Sequence, residues 1–264
     1  METITDTNIR DFVERYVQGN SGFPLIGSWD VSEVTNMKGL FANRIDFNEP
    51  LNDWNVSNVT DMSWMFNNAE NFDQSLEKWN VSNVTNMSWM FSFALNFNKS
   101  LKDWNVSNVT NMSHMFHGAV KFDQYLNDWD VSKVTDMNEM FHFAVSFNQP
   151  LDKWKVSNVT DMSWMFYYDT SFNQPLDNWL ISDKTNILNM FYHTFDNKRP
   201  TIVDFEKEAL YKRYLDNNFT LLNEDTKNII ENYLIHKKKG GKTKKKTKRK
   251  KRKTKKFKKR IFTK

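Results

Sequence analysis

Hydrophobic positions recur along this chain with a period of 25 residues. Each repeat begins with a tryptophan, and these residues are Trp29, Trp54, Trp79, Trp104, Trp129, Trp154 and Trp179. A phenylalanine column keeps the same spacing from Phe41 to Phe191, and no insertion shifts the register. An unbroken period of this length predicts a stack of structurally equivalent coils.

Within one repeat, the hydrophobic spacing changes from alternation to a helical stripe. Leu76, Trp79 and Val81 have the spacing of a leucine-rich-repeat strand, on which alternate side chains share a face. The stripe that follows, with spacing i, i+3, i+4 and i+7, consists of Met87, Met90, Phe91 and Ala94. This spacing predicts a short helix. The sequence therefore predicts an α/β repeat fold, a leucine-rich-repeat-like solenoid with one short parallel strand and one short helix per coil.

The repeat also resembles a known family. The run F-N-Q-P-L-D-x-W-x-V-S-N-V-T-D-M-S-W-M-F, at residues 147–166, is similar to the repeat of BspA-like leucine-rich-repeat surface proteins. The resemblance covers about residues 27–197. It implies a right-handed solenoid with a binding or adhesive role and no enzymatic activity. Members are often secreted or lipid-anchored, but this chain shows no signal peptide and no cysteine for lipid attachment. We therefore expect an intracellular location, in the nucleus or in a virus-infected cell, rather than a surface location.

The segments beside the repeats divide the chain into four parts. Residues 1–26 are predicted to form an N-terminal helical cap, because their apolar positions share one helical face. Residues 27–197 are predicted to form the seven-repeat solenoid, and residues 198–236 a C-terminal helical cap. Caps are expected because the end coils of a solenoid expose apolar surface. Residues 237–264 are predicted to be a disordered tail.

The net charge of +5 is divided unevenly between body and tail. Of the 37 Lys and Arg residues, 19 lie in residues 237–264, which leaves 18 against 32 acidic residues, a charge of −14 for the rest. Candidate contacts to a polyanion or an import receptor are Lys244, Lys245, Lys246, Lys248, Arg249, Lys250, Lys251, Arg252 and Lys253. The tail supports an alternative function, that of a nucleic-acid-associated or nuclear-targeted protein. Similar Lys-rich tails occur in proteins of large DNA viruses, so a viral protein is one interpretation.

The sequence contains no recognisable catalytic motif. It has no nucleophile elbow, no HExxH, no phosphate-binding loop and no GxGxxG, so we expect neither an enzyme nor a bound cofactor. One set of residues has the ligand types that zinc accepts, namely His114, His117, Glu139 and His142. They would share a patch on two adjacent repeats, because Glu139 and His142 follow His114 and His117 by one period. The alternative, which the sequence favours, is that these outward positions vary freely and bind no metal.

Two surfaces are candidates for partner binding. Large aromatic residues occupy the outward positions of the predicted helices, and they are Trp64, Trp89, Phe93, Phe143, Trp164, Tyr167 and Tyr168. Exposed aromatic side chains indicate a partner site, whereas packing between neighbouring helices is the alternative. The predicted strand face is polar and carries Asn55, Asn80 and Asn105. The sequence therefore predicts a non-enzymatic scaffold for a protein or glycan partner, and it leaves open which face binds.

Overall fold

The computed structural model describes residues 2–19, 22–192 and 194. The chain divides into two compact units, Met1–Tyr214 and Leu215–Lys264, and all described residues belong to the first unit. The end of the seventh repeat, the predicted C-terminal cap and the predicted tail lie outside the described residues.

The N-terminal segment forms a helix, α1, at Ile9–Val17. Phe12 and Tyr16 of α1 lie edge-on against Trp29, with ring centroids 6.3 and 5.6 Å away. A single 3₁₀ turn, Ile26–Ser28, then leads into the first repeat. The helix therefore packs against the apolar end of that repeat. Across the part of the chain that the structure describes, no helix is long and apolar enough to span a bilayer.

Asp6 closes the polar side of the same end. Its carboxylate accepts hydrogen bonds from the amides of Thr35 and Asn36, at 2.8 and 3.0 Å, and from the Thr35 hydroxyl at 2.6 Å. Although burial opposes the shift, these bonds hold the pKa of Asp6 below its ordinary value. In the next repeat the amide of Thr60 donates instead to the Thr35 carbonyl, at 2.9 Å. Asp6 therefore takes the place of a carbonyl from a preceding repeat.

Successive repeats pair in parallel at one position per repeat. The bridged residues are Asn36, Asp61, Asn86, Asn111, Asp136, Asp161 and Asn186. Parallel pairing places neighbouring backbones about 4.8 Å apart. The repeats are therefore stacked directly on one another, and their register does not slip from the first to the seventh.

A second set of hydrogen bonds connects the repeats through the segment predicted as a helix. The amides of Met62, Trp64 and Phe66 each donate to a carbonyl of the next repeat, at 2.9–3.0 Å. The intervening amides of Met65 and Asn67 close turns on the carbonyls of Met62 and Trp64, at 3.2 and 3.0 Å. Every one of these amides has a partner, so the segment satisfies its backbone without forming an α-helix.

The structure thus corrects the two secondary-structure elements predicted for each repeat. Within residues 27–192, the repeats contain no α-helix and no strand beyond a single bridge. The backbone φ is 63° at Trp64 and 56° at Asn68, and left-handed residues of this kind interrupt an α-helix. A positive φ at the third position of a four-residue turn is typical of type II turns. In the predicted strand, the amides of Trp79 and Val84 close local turns instead of pairing along a ladder.

The predicted division into inward and outward side chains is nevertheless present. Trp79, Val81, Met87, Phe91 and Ala94 are all buried. Consecutive turns and a helix put the same residues inside, because in both the chain returns to the same side after three or four residues. The sequence pattern therefore identified the core although it indicated different elements.

The buried columns form continuous stacks of rings. From Phe41 to Phe191, each phenylalanine lies parallel to the next, with centroids 5.5–5.8 Å apart. From Trp54 to Trp179, each buried indole also donates a hydrogen bond to a backbone carbonyl 28 residues earlier, as in the 2.8 Å bond from Nε1 of Trp79 to the carbonyl of Leu51. These two contacts connect neighbouring repeats in the core.

Candidate functional site

Three outward columns of side chains form one surface on the turn side of the stack, which we call the aromatic face. The first column contains Trp64, Trp89, His114, Glu139 and Trp164. The second contains His117, His142, Tyr167 and Tyr192, and the third contains Phe93, Gly118, Phe143 and Tyr168. The face includes all seven aromatic residues that the sequence indicated. It also includes Tyr192, which the sequence analysis missed although it follows Tyr167 by one period.

The rings of the first column stack along the axis of the repeats. Trp64 lies 4.4 Å from Trp89, and Trp89 lies 3.8 Å from His114, both with an angle of 9° between ring planes. Trp64 and Phe93 are 36% and 42% exposed. The side chains therefore pack against each other, as the alternative interpretation required, and still present ring surface to solvent.

The third column is held in place by a close contact. Gly118 has a φ of 66°, and a Cβ added to it would lie 2.7 Å from Cδ1 of Phe93. Phe93 therefore lies directly over the glycine backbone, and a larger residue at 118 would displace the ring. Phe143 stacks on Tyr168 with centroids 5.1 Å apart. These contacts give the exposed rings defined positions.

The backbone beneath the aromatic face is strained. Trp64, Trp89 and Trp164 have φ values of 63°, 61° and 62°. Glycine adopts this left-handed conformation readily, and the first repeat does have a glycine, Gly39, in the same column with a φ of 62°. Residue types other than glycine, asparagine and aspartate cost about 1–2 kcal/mol there. The tryptophans occupy positions that the fold alone would assign to glycine or asparagine, and such strain is typical of functional sites.

Four ionisable residues interrupt the aromatic face at its centre, and we call them the His–Glu cluster: His114, His117, Glu139 and His142. Oε1 of Glu139 lies 3.3 Å from Nε2 of His114, and Oε2 lies 3.1 Å from Nδ1 of His117. His142 donates a hydrogen bond from Nδ1 to Oε2 of Glu139 at 2.6 Å. The structure therefore brings together all four residues that the sequence indicated as potential ligands.

Burial controls the ionisation of the His–Glu cluster. Burial and the neighbouring His142 lower the pKa of His117 to about 4, and burial also lowers the pKa of His114. Burial opposes the ionisation of Glu139, but the hydrogen bond from His142 and the nearby imidazoles hold its pKa below the ordinary value. At pH 7 the cluster thus presents an ionised carboxylate to the neutral rings of His114 and His117.

The cluster also contains buried polar atoms without a hydrogen-bond partner. In the described part of the chain, these atoms are Nδ1 of His114, Nδ1 of His117 and Nε2 of His142. Nδ1 of His117 is close to Glu139, but the direction of the contact does not meet the geometry of a hydrogen bond. Unpaired buried nitrogens are costly, and three in one cluster are unusual.

The polar candidates on the opposite segment have a local structural role. The side-chain oxygens of Asn55, Asn80 and Asn105 each accept a hydrogen bond from the amide two residues later, at 3.2 Å. Such bonds form Asx turns, which fix the course of the backbone. The three residues are exposed, but their amide oxygens are used within the chain.

The basic candidates in the tail, from Lys244 to Lys253, lie outside the described residues. The expectation that the chain is not an enzyme stays a prediction. The candidate residues that the structure describes are those of the aromatic face, including the His–Glu cluster, and the three asparagines.

Stacked coils with a shared core and a repeated outer surface define this chain as a tandem-repeat protein. The chain belongs to the family described as "Mycoplasma protein of unknown function, DUF285", whose pattern matches residues 11–119 and again residues 96–203. The two tandem matches confirm the prediction of a repeat protein. No curated protein and no solved structure matches the chain.

Proposed function

We propose that this chain is a non-enzymatic scaffold that binds a protein partner through its aromatic face. The proposal includes the fold class, a right-handed leucine-rich-repeat-like solenoid, and the resemblance to BspA-like surface proteins. The family match supports the coarser part of this proposal, a repeat protein. The binding role is supported by the composition and the geometry of the aromatic face.

A single observation supports this role above the others: large aromatic side chains are exposed at backbone positions that favour glycine. Trp64 and Phe93 have φ values of 63° and 54° and remain more than a third exposed. The exposed part of these rings does not stabilise the fold, since it stays in water. Protein interfaces, in contrast, are enriched in Trp, Tyr and Phe, which often dominate the binding energy.

The two candidate faces differ in how much chemistry they offer a partner. The aromatic face offers large apolar rings held in fixed positions by stacking, which costs a partner little conformational entropy. The asparagine oxygens of the opposite segment already accept backbone hydrogen bonds. We therefore assign partner binding to the aromatic face and a structural role to Asn55, Asn80 and Asn105.

The repeat itself supplies matched substitutions for a test. Asn189 lies in the column of Trp64 and Trp89, and Asn68 lies in the column of Phe93, with φ values of 52° and 56°. The triple variant Trp64→Asn, Trp89→Asn and Phe93→Asn removes exposed rings while using a residue that each column already accepts. Its melting curve should remain cooperative.

The experiment places a photo-crosslinking residue at Phe143 in the full chain and in the triple variant. The proposal expects that the full chain crosslinks to one protein and that the triple variant does not. The purified full chain should then bind that purified protein. Asn80→Asp, a residue type found at the equivalent Asp130, is the control and should retain binding. Equal crosslinking in the full chain and the triple variant would contradict the proposal.

Two further outcomes would redirect the proposal. Saturable binding to a glycan, lost in the triple variant, would replace the protein partner by a carbohydrate. Binding to generic DNA or RNA that falls steeply with salt, and is lost in a chain ending at His236, would favour the alternative based on the basic tail.

A further inference from the structure

We propose that His114, His117 and Glu139 bind a zinc ion, and that His142 holds the carboxylate of Glu139 in position. This inference goes beyond the scaffold function and does not depend on it. It rests on the geometry of the His–Glu cluster, the ligand types and the burial of the side chains.

The distances in the cluster fit the coordination of zinc. Two ligand atoms of a tetrahedral zinc ion with bonds of about 2.0–2.1 Å lie about 3.3 Å apart. Oε1 of Glu139 lies 3.3 Å from Nε2 of His114, and Oε2 of Glu139 lies 3.1 Å from Nδ1 of His117, so each oxygen has one imidazole nitrogen at about this spacing. The three ligand atoms all lie within 4.8 Å of one another. Small side-chain rotations therefore suffice to direct all three at one ion.

The chemistry of the cluster favours the same ion. Imidazole nitrogen and carboxylate oxygen are both ligand types that zinc binds in proteins. His142 would not bind the ion itself but would orient the carboxylate of Glu139 through its 2.6 Å hydrogen bond. The chain has no cysteine, so no thiolate competes for the metal.

The three histidine side chains of the cluster are largely shielded from solvent. His142 is only 9% exposed, and the side chains of His114 and His117 are 14% and 13% exposed. The nitrogens without hydrogen-bond partners in the described residues include Nδ1 of His117, which faces Glu139. A cation between these side chains would satisfy that nitrogen and neutralise the carboxylate.

Zinc would also connect two repeats. His114 and His117 belong to one repeat and Glu139 to the next, with a hydrogen bond from the His114 amide to Asn138 between them. An ion at this position would tie together the fourth and fifth repeats at the centre of the aromatic face. Zinc should therefore raise the melting temperature of the full chain.

The test is a calorimetric titration of zinc into the full chain after treatment with a chelator. The expected result is one saturable site per chain. The matched variant is His114→Trp with His117→Ser, which uses residues present in the same columns at Trp89 and Ser92. It should fold, lose the saturable site and lose the increase in melting temperature.

Two single changes separate the roles within the cluster. Glu139→Trp removes a ligand and should abolish the site, whereas His142→Phe removes only the positioning hydrogen bond and should weaken affinity by about 10–100-fold. His236→Ala, outside the described residues, is the control and should leave binding unchanged. X-ray absorption of the zinc-loaded chain should show nitrogen and oxygen neighbours at about 2.0–2.1 Å and no sulfur.

Either of two results would overturn the inference. The first is the absence of saturable zinc binding by the full chain. The second is saturable binding that the His114→Trp, His117→Ser variant retains while its melting curve shows that it is folded. In both cases the His–Glu cluster would be a hydrogen-bonded group without a metal.

Discussion

The buried phenylalanine stack and the first column of the aromatic face are built on the same period but differ in composition. From Phe41 to Phe191 the buried column contains one residue type, whereas the outer column changes from Gly39 through Trp, His and Glu to Asn189. Packing against identical neighbours on both sides explains the uniform column. The varied column has no such requirement, and its backbone favours glycine. Core packing therefore determines the residue type in the buried column but does not determine it in the outer column.

The strongest test of this comparison removes one ring from each column. Phe116→Ala empties a fully buried site between two stacked rings and should reduce the free energy of unfolding by about 3–5 kcal/mol. Trp64→Ala removes a partly exposed ring with one stacking neighbour and should cost about 0.5–1.5 kcal/mol. Urea denaturation followed by circular dichroism measures both. Equal losses would mean that the outer rings are as important to folding as the core.

A second test concerns Asp169, an ionisable residue that is buried in a column of mostly alanine residues. Asp169 is fully buried where the second to fifth repeats have alanine, as at Ala144. Its Oδ1 accepts only long hydrogen bonds from the amides of Ser171 and Phe172, both at 3.3 Å, and within the described residues its Oδ2 has no hydrogen-bond partner. Asp169→Ala should therefore stabilise the chain at pH 7, by about 1–3 kcal/mol. Thermal melts of the two chains side by side measure the gain.

The same substitution should change how stability depends on pH. Burial raises the pKa of Asp169 well above its ordinary value of 3.8. Between the two pKa values the folded chain binds more protons than the unfolded chain, so stability falls as the pH rises from about 4 through the folded pKa. Asp169→Ala should remove this loss. Identical profiles for Asp169→Ala and the unmodified chain would show that this carboxyl does not titrate as its burial implies.

The smallest expected effect tests the backbone strain of the outer column directly. At Trp64, glycine should be more stable than alanine by about 1 kcal/mol, because the φ of 63° suits glycine. At the exposed Lys78, which does not have a positive φ, the order should reverse. The melting temperatures of the glycine and alanine variants at Trp64 and at Lys78 measure both differences. Alanine above glycine at both positions would show that the left-handed conformation is not maintained in solution.

Much of the architecture could be predicted from the sequence because burial follows the period. The inward positions of Trp79, Met87 and Phe91 were identified correctly, and the one-period spacing placed Glu139 beside His114. The predicted helix was not found, because periodicity reports which side a residue faces and not its φ. A signal for the turns was nevertheless present: Gly39 and Gly118, and also Asn68, lie in the columns with positive φ. Glycine and asparagine in these columns indicate turns.

The candidate site could be predicted only in part for the same reason. The aromatic columns and the His–Glu cluster were visible as periodic positions, but the strain that distinguishes Trp64 from an ordinary surface tryptophan is a property of the backbone. The asparagines illustrate the opposite case. Asn80 was indicated as a surface residue, and only the structure shows that its oxygen accepts the amide of Ser82.

The carboxylate of Asp6 has a consequence for how such a chain evolves. By supplying the acceptor that a preceding repeat would provide, it makes the start of the array independent of the number of coils that follow. A gene duplication of one 25-residue unit between Trp54 and Trp154 would leave this terminator and the repeated contacts of the core intact. Array length can therefore change in whole units without redesign of the first coil, and each added unit brings new positions on the outer surface for selection to act on.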